Sequence, residues 1–279
     1  MLPPFYKAVH LIISYLSSLF QPYFFLRTHG ILLEKERCLS VHNAETLLKI
    51  RENERHSHQQ MYTSNVLYHD KGWLQKPVKT VLDLLPRFYS AAKLRFLDLG
   101  CGVGRNSIRI AEYFSKRDCT VDCIDILDIA ISQLKQYAKE YGVSSMIRGT
   151  VSPIEDYTIP SQYYNGIFAI SALEHLESEE IFRTKLEEIR DGLCDGGVAC
   201  LIINSDITER NSERGTDEPP QFELLFSCEE LDALLLQTFS HWTILKHTHQ
   251  LQHYQIPRSE AIHELSTTVV TFVAQKPDM

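Results

Sequence analysis

The segment that most restricts this chain is a short apolar run that stops at a bend of glycines. Residues 94–99 are followed by Gly100, Gly102 and Gly104, spaced by single residues, and helix-forming sequence resumes at Asn106. Glycine lacks a Cβ, so a turn containing three of them bends sharply and lets a ligand approach the backbone. The helix that follows begins with N–H groups that no earlier turn satisfies. In open sheets of alternating strands and helices, ligands sit beyond the carboxyl ends of the strands, and the first strand-turn-helix is a preferred place. The spacing also argues against two relatives of this arrangement. A dinucleotide fingerprint of the form G-x-G-x-x-G needs its third glycine where this chain has Arg105, and no G-K-[ST] follows to make a phosphate loop.

Downstream the chain alternates. Residues 120–126 read as a strand, 128–141 as a helix ended by Gly142, 146–149 as a short third strand, 164–171 as a strand and 179–191 as a helix closed by Gly192. Residues 197–204 carry the unbroken run Val198-Ala199-Cys200-Leu201-Ile202-Ile203, as expected of a strand covered on both faces. The pattern predicts an α/β domain with a parallel sheet and right-handed crossovers. A helix over 229–237 is then followed by two strands, 241–251 and 266–274, with no helix between them, so a hairpin joins the sheet. Residues 206–220, rich in Glu, Ser, Asn and Pro, read as a long polar loop beside the pocket. Upstream, 43–60 reads as a charged helix, and 73–85 has helical apolar spacing up to Pro86. The expected division is a helical N-terminal extension, 1–61, and the α/β domain, 62–279.

Acidic residues outnumber basic ones by 36 to 28 for a net charge of -8, which argues against nucleic acid as a partner. Seven cysteines form no C-x-x-C pair, so a reduced, cytoplasmic compartment is expected, with the thiols acting as small buried hydrophobes. His247 and His249 share one face of a strand, with His241 and His253 nearby, but no carboxylate cluster accompanies them in sequence and no metal is expected. Residues 8–26 are apolar and aromatic, yet short and polar-spotted for a membrane span. They read as a docking helix, with membrane or partner contact through residues 1–30 as the alternative.

An acidic residue closes the second strand. Asp125 lies 21 positions after Gly104, where a carboxylate accepts hydrogen bonds from both hydroxyls of a ribose. Ile126 beside it offers an apolar surface to one face of an adenine, and Asp122, deeper in the strand, is the weaker candidate.

Together, FLDLGCGVGRNS from Phe96, VDCIDI from Val121, SPIEDY from Ser152 and YYNGIFAISALEHL from Tyr163 resemble the class I S-adenosyl-L-methionine (SAM)-dependent methyltransferases. The likeness spans residues 94–205, and the later strands suit that fold in order. It implies a Rossmann-like seven-stranded, mostly parallel sheet with helices on both faces and a C-terminal antiparallel hairpin. The G-C-G-x-G-R-N form and the Tyr62…Gly72-Trp73-Leu74 segment are similar to a small-molecule branch that includes tellurite-resistance-type enzymes. The resemblance implies SAM as cofactor and a small-molecule acceptor. It assigns Asp98, Gly100, Cys101, Gly102 and Gly104 to the methionine part, Asp125 and Ile126 to the nucleoside, Pro153, Ile154 and Glu155 to the adenine edge, and Ser171 and Ala172 to the neighbourhood of the sulfonium. One position departs from the family, Asn165, which is often acidic. Glu174 and His175 sit where substrate would approach; His175 is the candidate general base, with a structural or supporting part as the favoured alternative, and Tyr62, Tyr68 and Trp73 are candidate lid residues, with aromatic core packing as the alternative. Two other readings stay open at this point: a SAM-binding regulator or scaffold without catalysis, and a nicotinamide-dependent oxidoreductase, which Arg105 disfavours.

Overall fold

The first strand, β1 (Leu94–Leu99), is buried along almost its whole length because layers of helix cover both of its faces. In this computed structural model residues 44–69, 73–258 and 261–278 are described, and the apolar stretch within residues 1–30 lies outside them. Parallel to β1 run β2 (Cys119–Asp125), β3 (Ile147–Val151), β4 (Tyr164–Ile170) and β5 (Leu193–Asn211). Two antiparallel strands, β7 (Thr243–Pro257) and β8 (Ile262–Gln275), complete the order β3-β2-β1-β4-β5-β8-β7, and a two-residue β6 (Asp217–Glu218) pairs with the far end of β5. The strand order reverses between β1 and β4, and the glycine bend leaves β1 at that switch point.

Side chains alternate across the sheet, so each strand feeds two cores. Phe96, Val121 and Phe168 pack under α2 (Lys79–Leu84), α3 (Ser107–Tyr113) and α4 (Asp128–Glu140) with Val81, Ile108, Ala111, Ile131 and Leu134. Leu97, Ile124, Ile167 and Leu201 face α5 (Glu179–Gly192) and α6 (Cys228–Thr238), meeting Phe182, Leu186, Ile189, Leu231 and Leu235. Local signals set the helix ends. Ser178 caps α5 by accepting from Ile181 N, and Ser227 with Glu230 forms a reciprocal capping box on α6.

Two expectations need correction. The helical spacing over 73–85 is split into a one-turn 3-10 helix at Trp73–Gln75, then α2, then a second 3-10 turn at Leu85–Phe88. Pro77 removes an N–H donor and disfavours helical backbone at Lys76, which breaks the periodicity that the apolar residues suggest. The supposed loop over 206–220 is strand through Asn211 and again in β6. Burial along β5 changes there from continuous to alternating, with Ser205, Ile207, Glu209 and Asn211 inward and Asp206, Thr208 and Arg210 outward. Beyond Asn204 the ribbon of β5, β8 and β7 projects past the helical layers, so only one face is covered and polar residues fill the other. The inward face is itself partly polar: Glu209 accepts both Nε and Nη2 of Arg258 at 2.9 Å and lies 2.7 Å from His263 Nδ1. That closed network, over Ile207, Phe222 and Leu265, supports the ribbon.

The helix α1 (Ala44–Ser64) precedes the sheet and crosses the expected 61/62 boundary, with Ile50 and Tyr62 buried. Among the described residues no helix is long and apolar enough to cross a membrane. The thiols of Cys101, Cys119, Cys123 and Cys200 are buried, while Cys194 and Cys228 are half-buried.

Candidate functional site

The three glycines all take positive φ, at +69°, +53° and +90°, a backbone region that side chains resist. Gly100 also needs the room: a Cβ there would lie 2.4 Å from the Ala172 Cβ. Backbone bonds tie the bend to the end of β2, with Gly100 N and Cys101 N both donating to Ile124 O at 2.8 and 3.0 Å. Cys101 is buried, and burial raises its thiol well above the usual range, so it acts as filling.

Asp125 anchors the next layer. Gly102 N donates to its Oδ2 at 2.8 Å and Leu127 N to its Oδ1 at 2.9 Å. Each carboxylate oxygen keeps acceptor capacity for a further donor. Burial raises the Asp125 carboxyl, against these two N–H groups and the nearby His58 of α1. Ile126 is 42% exposed and Ser152 N donates to Asp125 O at 2.9 Å, so the 152–155 segment runs beside the carboxylate. Ile154 is buried near Gly100, and Pro153 is half-buried. Glu155 Oε1 accepts from Arg51 Nη2 at 2.8 Å.

Asp98 lies one residue before the end of β1 and is fully enclosed. Its Oδ2 accepts from Ser107 Oγ, and burial pushes the carboxyl up to about 6 against Ser107 and the charge of Arg105. A buried carboxylate next to a glycine bend is suited to a ligand ammonium. Ser171, exposed, holds a left-handed φ of +51° after β4, while Ala172 is buried against Gly100. Asp98, the glycines, Asp125, Ile126, Ile154, Ser171 and Ala172 thus share the carboxyl end of the sheet. Asp122 faces away, accepting from Tyr164 Oη at 2.9 Å. Asn165 sits at the opposite end, where its Oδ1 accepts from Arg95 N at 2.9 Å and joins β1 to β4.

The helix α1 lies over these strand ends. The Tyr62 hydroxyl would meet a Cβ on Gly102 at 2.8 Å, Arg51 Nη1 donates to Glu177 Oε1 at 2.7 Å, and Asn53 Nδ2 donates to Gln221 Oε1 at 3.0 Å. Tyr68 Oη donates to Arg105 O at 2.6 Å, which fastens the following segment to the same bend. His175, a candidate base for which the sequence favours a supporting structural part, points into this clasp: its Nδ1 is 2.9 Å from Glu223 Oε2 and its ring stacks on Phe222 at 5.2 Å. Glu174 occupies the interior instead. Its Oε1 accepts from Asn204 N and Nδ2, while Oε2 has no hydrogen-bond partner among the described residues. Burial raises its carboxyl, and it lies in electrostatic reach of Tyr254, which also feels Arg105. The sequence places Glu174 beside the substrate without a chemical role, and it does not assign Arg105, His58 or Tyr254 to the site. No local signal points to these three, because they arrive from a distant helix, a hairpin, and a motif position that is not a glycine.

The Asp125 carboxylate, with acceptor capacity left, and the buried Asp98 fit an amino-acid nucleoside with a cationic tail. A family model described as a methyltransferase domain matches residues 96–197. No curated protein sequence matches the chain. Among solved structures, TehB from Haemophilus influenzae is similar at 17% identity and a TM-score of 0.52, over 70% of this chain and 61% of its own, so this chain spans less than two thirds of that protein. A SAM-dependent methyltransferase from Methanosarcina mazei aligns at 16% identity and a TM-score of 0.51, covering 73% of this chain and 100% of its own. The 1,6-didemethyltoxoflavin-N1-methyltransferase of Burkholderia thailandensis, solved with 1,6-didemethyltoxoflavin and S-adenosylhomocysteine, aligns at 18% identity and a TM-score of 0.51 over 86% of this chain and 91% of its own. At such identities the likeness is one of fold, and the domain match covers the part of the chain that carries the glycine bend and Asp125. Residues 96–197 thus match a methyltransferase domain, within an α/β sheet of the class I SAM-dependent methyltransferase fold that the surrounding strands complete.

Proposed function

We propose that the methyl acceptor is a small molecule held beneath α1. One observation carries this reading: α1 reaches the loops after β1, β3, β4 and β5 at once, through Tyr62, Arg51 and Asn53, and roofs the carboxyl ends of the strands. A macromolecular acceptor would have to displace that roof, and the net charge of -8 favours no polyanion. The acting unit accordingly includes α1 from residue 44.

Bound SAM supplies a methyl group on a sulfonium, an electrophile already activated by its own charge. The protein's part is to hold the acceptor at near-attack distance and keep water out, which can contribute ~7 kcal/mol or more. Asp98 holds an ammonium, Asp125 accepts from a sugar diol, and Ile126 covers one face of a base. For an acceptor that carries a proton, Glu174 is the group assigned to receive it, because its Oε2 is buried and its raised carboxyl lies nearer neutrality than an exposed glutamate. His175 serves as a positioning residue, holding Glu223 against Arg51.

The test is turnover of SAM over a panel of small thiol, amine, hydroxyl and metalloid acceptors, with Glu174→Gln beside the parent protein. Glu174→Gln should lower kcat on protonated acceptors by about 100-fold while leaving S-adenosylhomocysteine affinity within about twofold. Cofactor binding with no turnover across the panel would favour a regulator or scaffold instead.

A further inference from the structure

Away from the glycine bend, four side chains with metal-ligand chemistry meet where α6 packs beside β7. Cys228 and Asp232 are one turn apart on α6 and share a face of the helix. His247 and His249 are two apart on β7 and share a face of the strand. The ligand atoms of Cys228, Asp232 and His249 all lie within 4.8 Å of one another. His249 Nε2 is 2.9 Å from Asp232 Oδ2, and His247 Nε2 is 2.7 Å from Oδ1 of the same carboxylate. His247 is steadied by the edge of Phe272, with ring centroids 5.4 Å apart, and Cys228 N donates to Asp206 Oδ1 at 3.1 Å.

We propose that Cys228, Asp232 and His249, with His247 as fourth donor, bind one divalent zinc-type cation. A thiolate, two imidazoles and one carboxylate form a borderline-soft set, suited to zinc and cobalt rather than to magnesium or calcium, which take oxygen ligands. Tetrahedral bonds of about 2.0–2.3 Å to such a cation need ligand atoms ~3.3–3.8 Å apart. The thiol closes in slightly and the two imidazole–carboxylate contacts open slightly, movements within the reach of side-chain torsions. The donors stand on one helix and one strand of the packed sheet, so their backbone is already positioned. Such an ion would fasten α6 to the outermost strand of the sheet, independently of methyl transfer.

The experiment uses the full chain, freed of metal and titrated with Co2+. The expected result is one equivalent bound, with intense tetrahedral d–d bands and a thiolate-to-cobalt charge-transfer band, both lost on adding Zn2+. At a hundredfold excess over Kd, Zn2+ should raise Tm by about 5–10 °C. Cys228→Ser should remove the charge-transfer band, while Cys194→Ser keeps it. Asp232→Asn and His249→Ala should each weaken Zn2+ binding by about tenfold or more. Circular dichroism establishes that each variant is folded, and SAM affinity should stay within about twofold of the parent. A weak octahedral Co2+ spectrum without charge transfer overturns the proposal. So does folded Cys228→Ser or His249→Ala with undiminished Zn2+ affinity, or loss of the charge-transfer band in Cys194→Ser instead.

Discussion

Acidification should loosen the cofactor before it damages the fold, and Asp98 sets the midpoint. Burial pushes this carboxyl up to about 6, with Asp125 adding repulsion and Ser107 and Arg105 opposing. The ammonium of SAM favours the carboxylate form and stays protonated below about pH 7.7. If only charged Asp98 binds tightly, about 90% of the free protein is competent at pH 7 and about 9% at pH 5, so apparent affinity falls ~10-fold across that interval. Asp125, also raised by burial, steepens the acidic end. Linkage gives a second sign. A carboxyl raised in the folded state to about 6 from 3.8 contributes stability below the lower value and loses it as pH rises through the higher one. The free protein therefore pays more for Asp98 at neutral pH, and protection against heating by the cofactor should grow over the same window. The assay is calorimetry with SAM and with S-adenosylhomocysteine, which shares the ammonium but lacks the sulfonium, in two buffers of different ionisation heat. About one proton should leave per ligand bound near pH 5 and ~0.1 near pH 7. Asp98→Asn should flatten both profiles. Constant affinity from about pH 5 to pH 7, with no buffer-dependent heat, would refute the role given to Asp98.

Other perturbations test the remaining parts. Asp125→Ala should weaken SAM and S-adenosylhomocysteine by ~100-fold or more, as expected from losing two charge-assisted hydrogen bonds of about 1.5 kcal/mol each, and titration showing a change below about threefold would remove the nucleoside from this place. Gly100→Ala sets a Cβ 2.4 Å from that of Ala172 at a φ of +69°. It should lower Tm by several degrees, and adding Ala172→Gly should relieve the clash but leave about 1 kcal/mol of backbone cost; an unchanged melting curve for the single variant contradicts the bend. Arg51→Ala releases Glu155 and Glu177 from a part-exposed residue, so stability should change by less than about 1 kcal/mol while amide exchange in α1 accelerates. Identical exchange rates would mean that other contacts hold the roof.

Much of the strand-end geometry was legible because it is local. Strand β1, the glycines and Asp125 follow one another within 32 residues from Leu94 to Asp125, and each states its conformation through its own chemistry. The run Val198 to Ile203 likewise announces a strand covered on both faces. The same logic failed just beyond Asn204. There the ribbon leaves the helical layers, and its buried positions include Glu209 and Asn211, which look like loop residues until Arg258, just past β7, and His263 on β8 arrive to pair them.

Between Glu174 and His175 the sequence offered two neighbouring titratable groups, with a supporting part for the histidine. Packing gave each its surroundings, turning the imidazole toward Glu223 and the carboxylate toward Asn204. The covering of the site by α1, and the meeting of Cys228 and Asp232 with His247 and His249, are also tertiary facts. Backbone preference and apolar period act between near neighbours and can be read along the chain. Which distant side chains share one small volume depends on how all the layers pack together, and only the folded sheet specifies that.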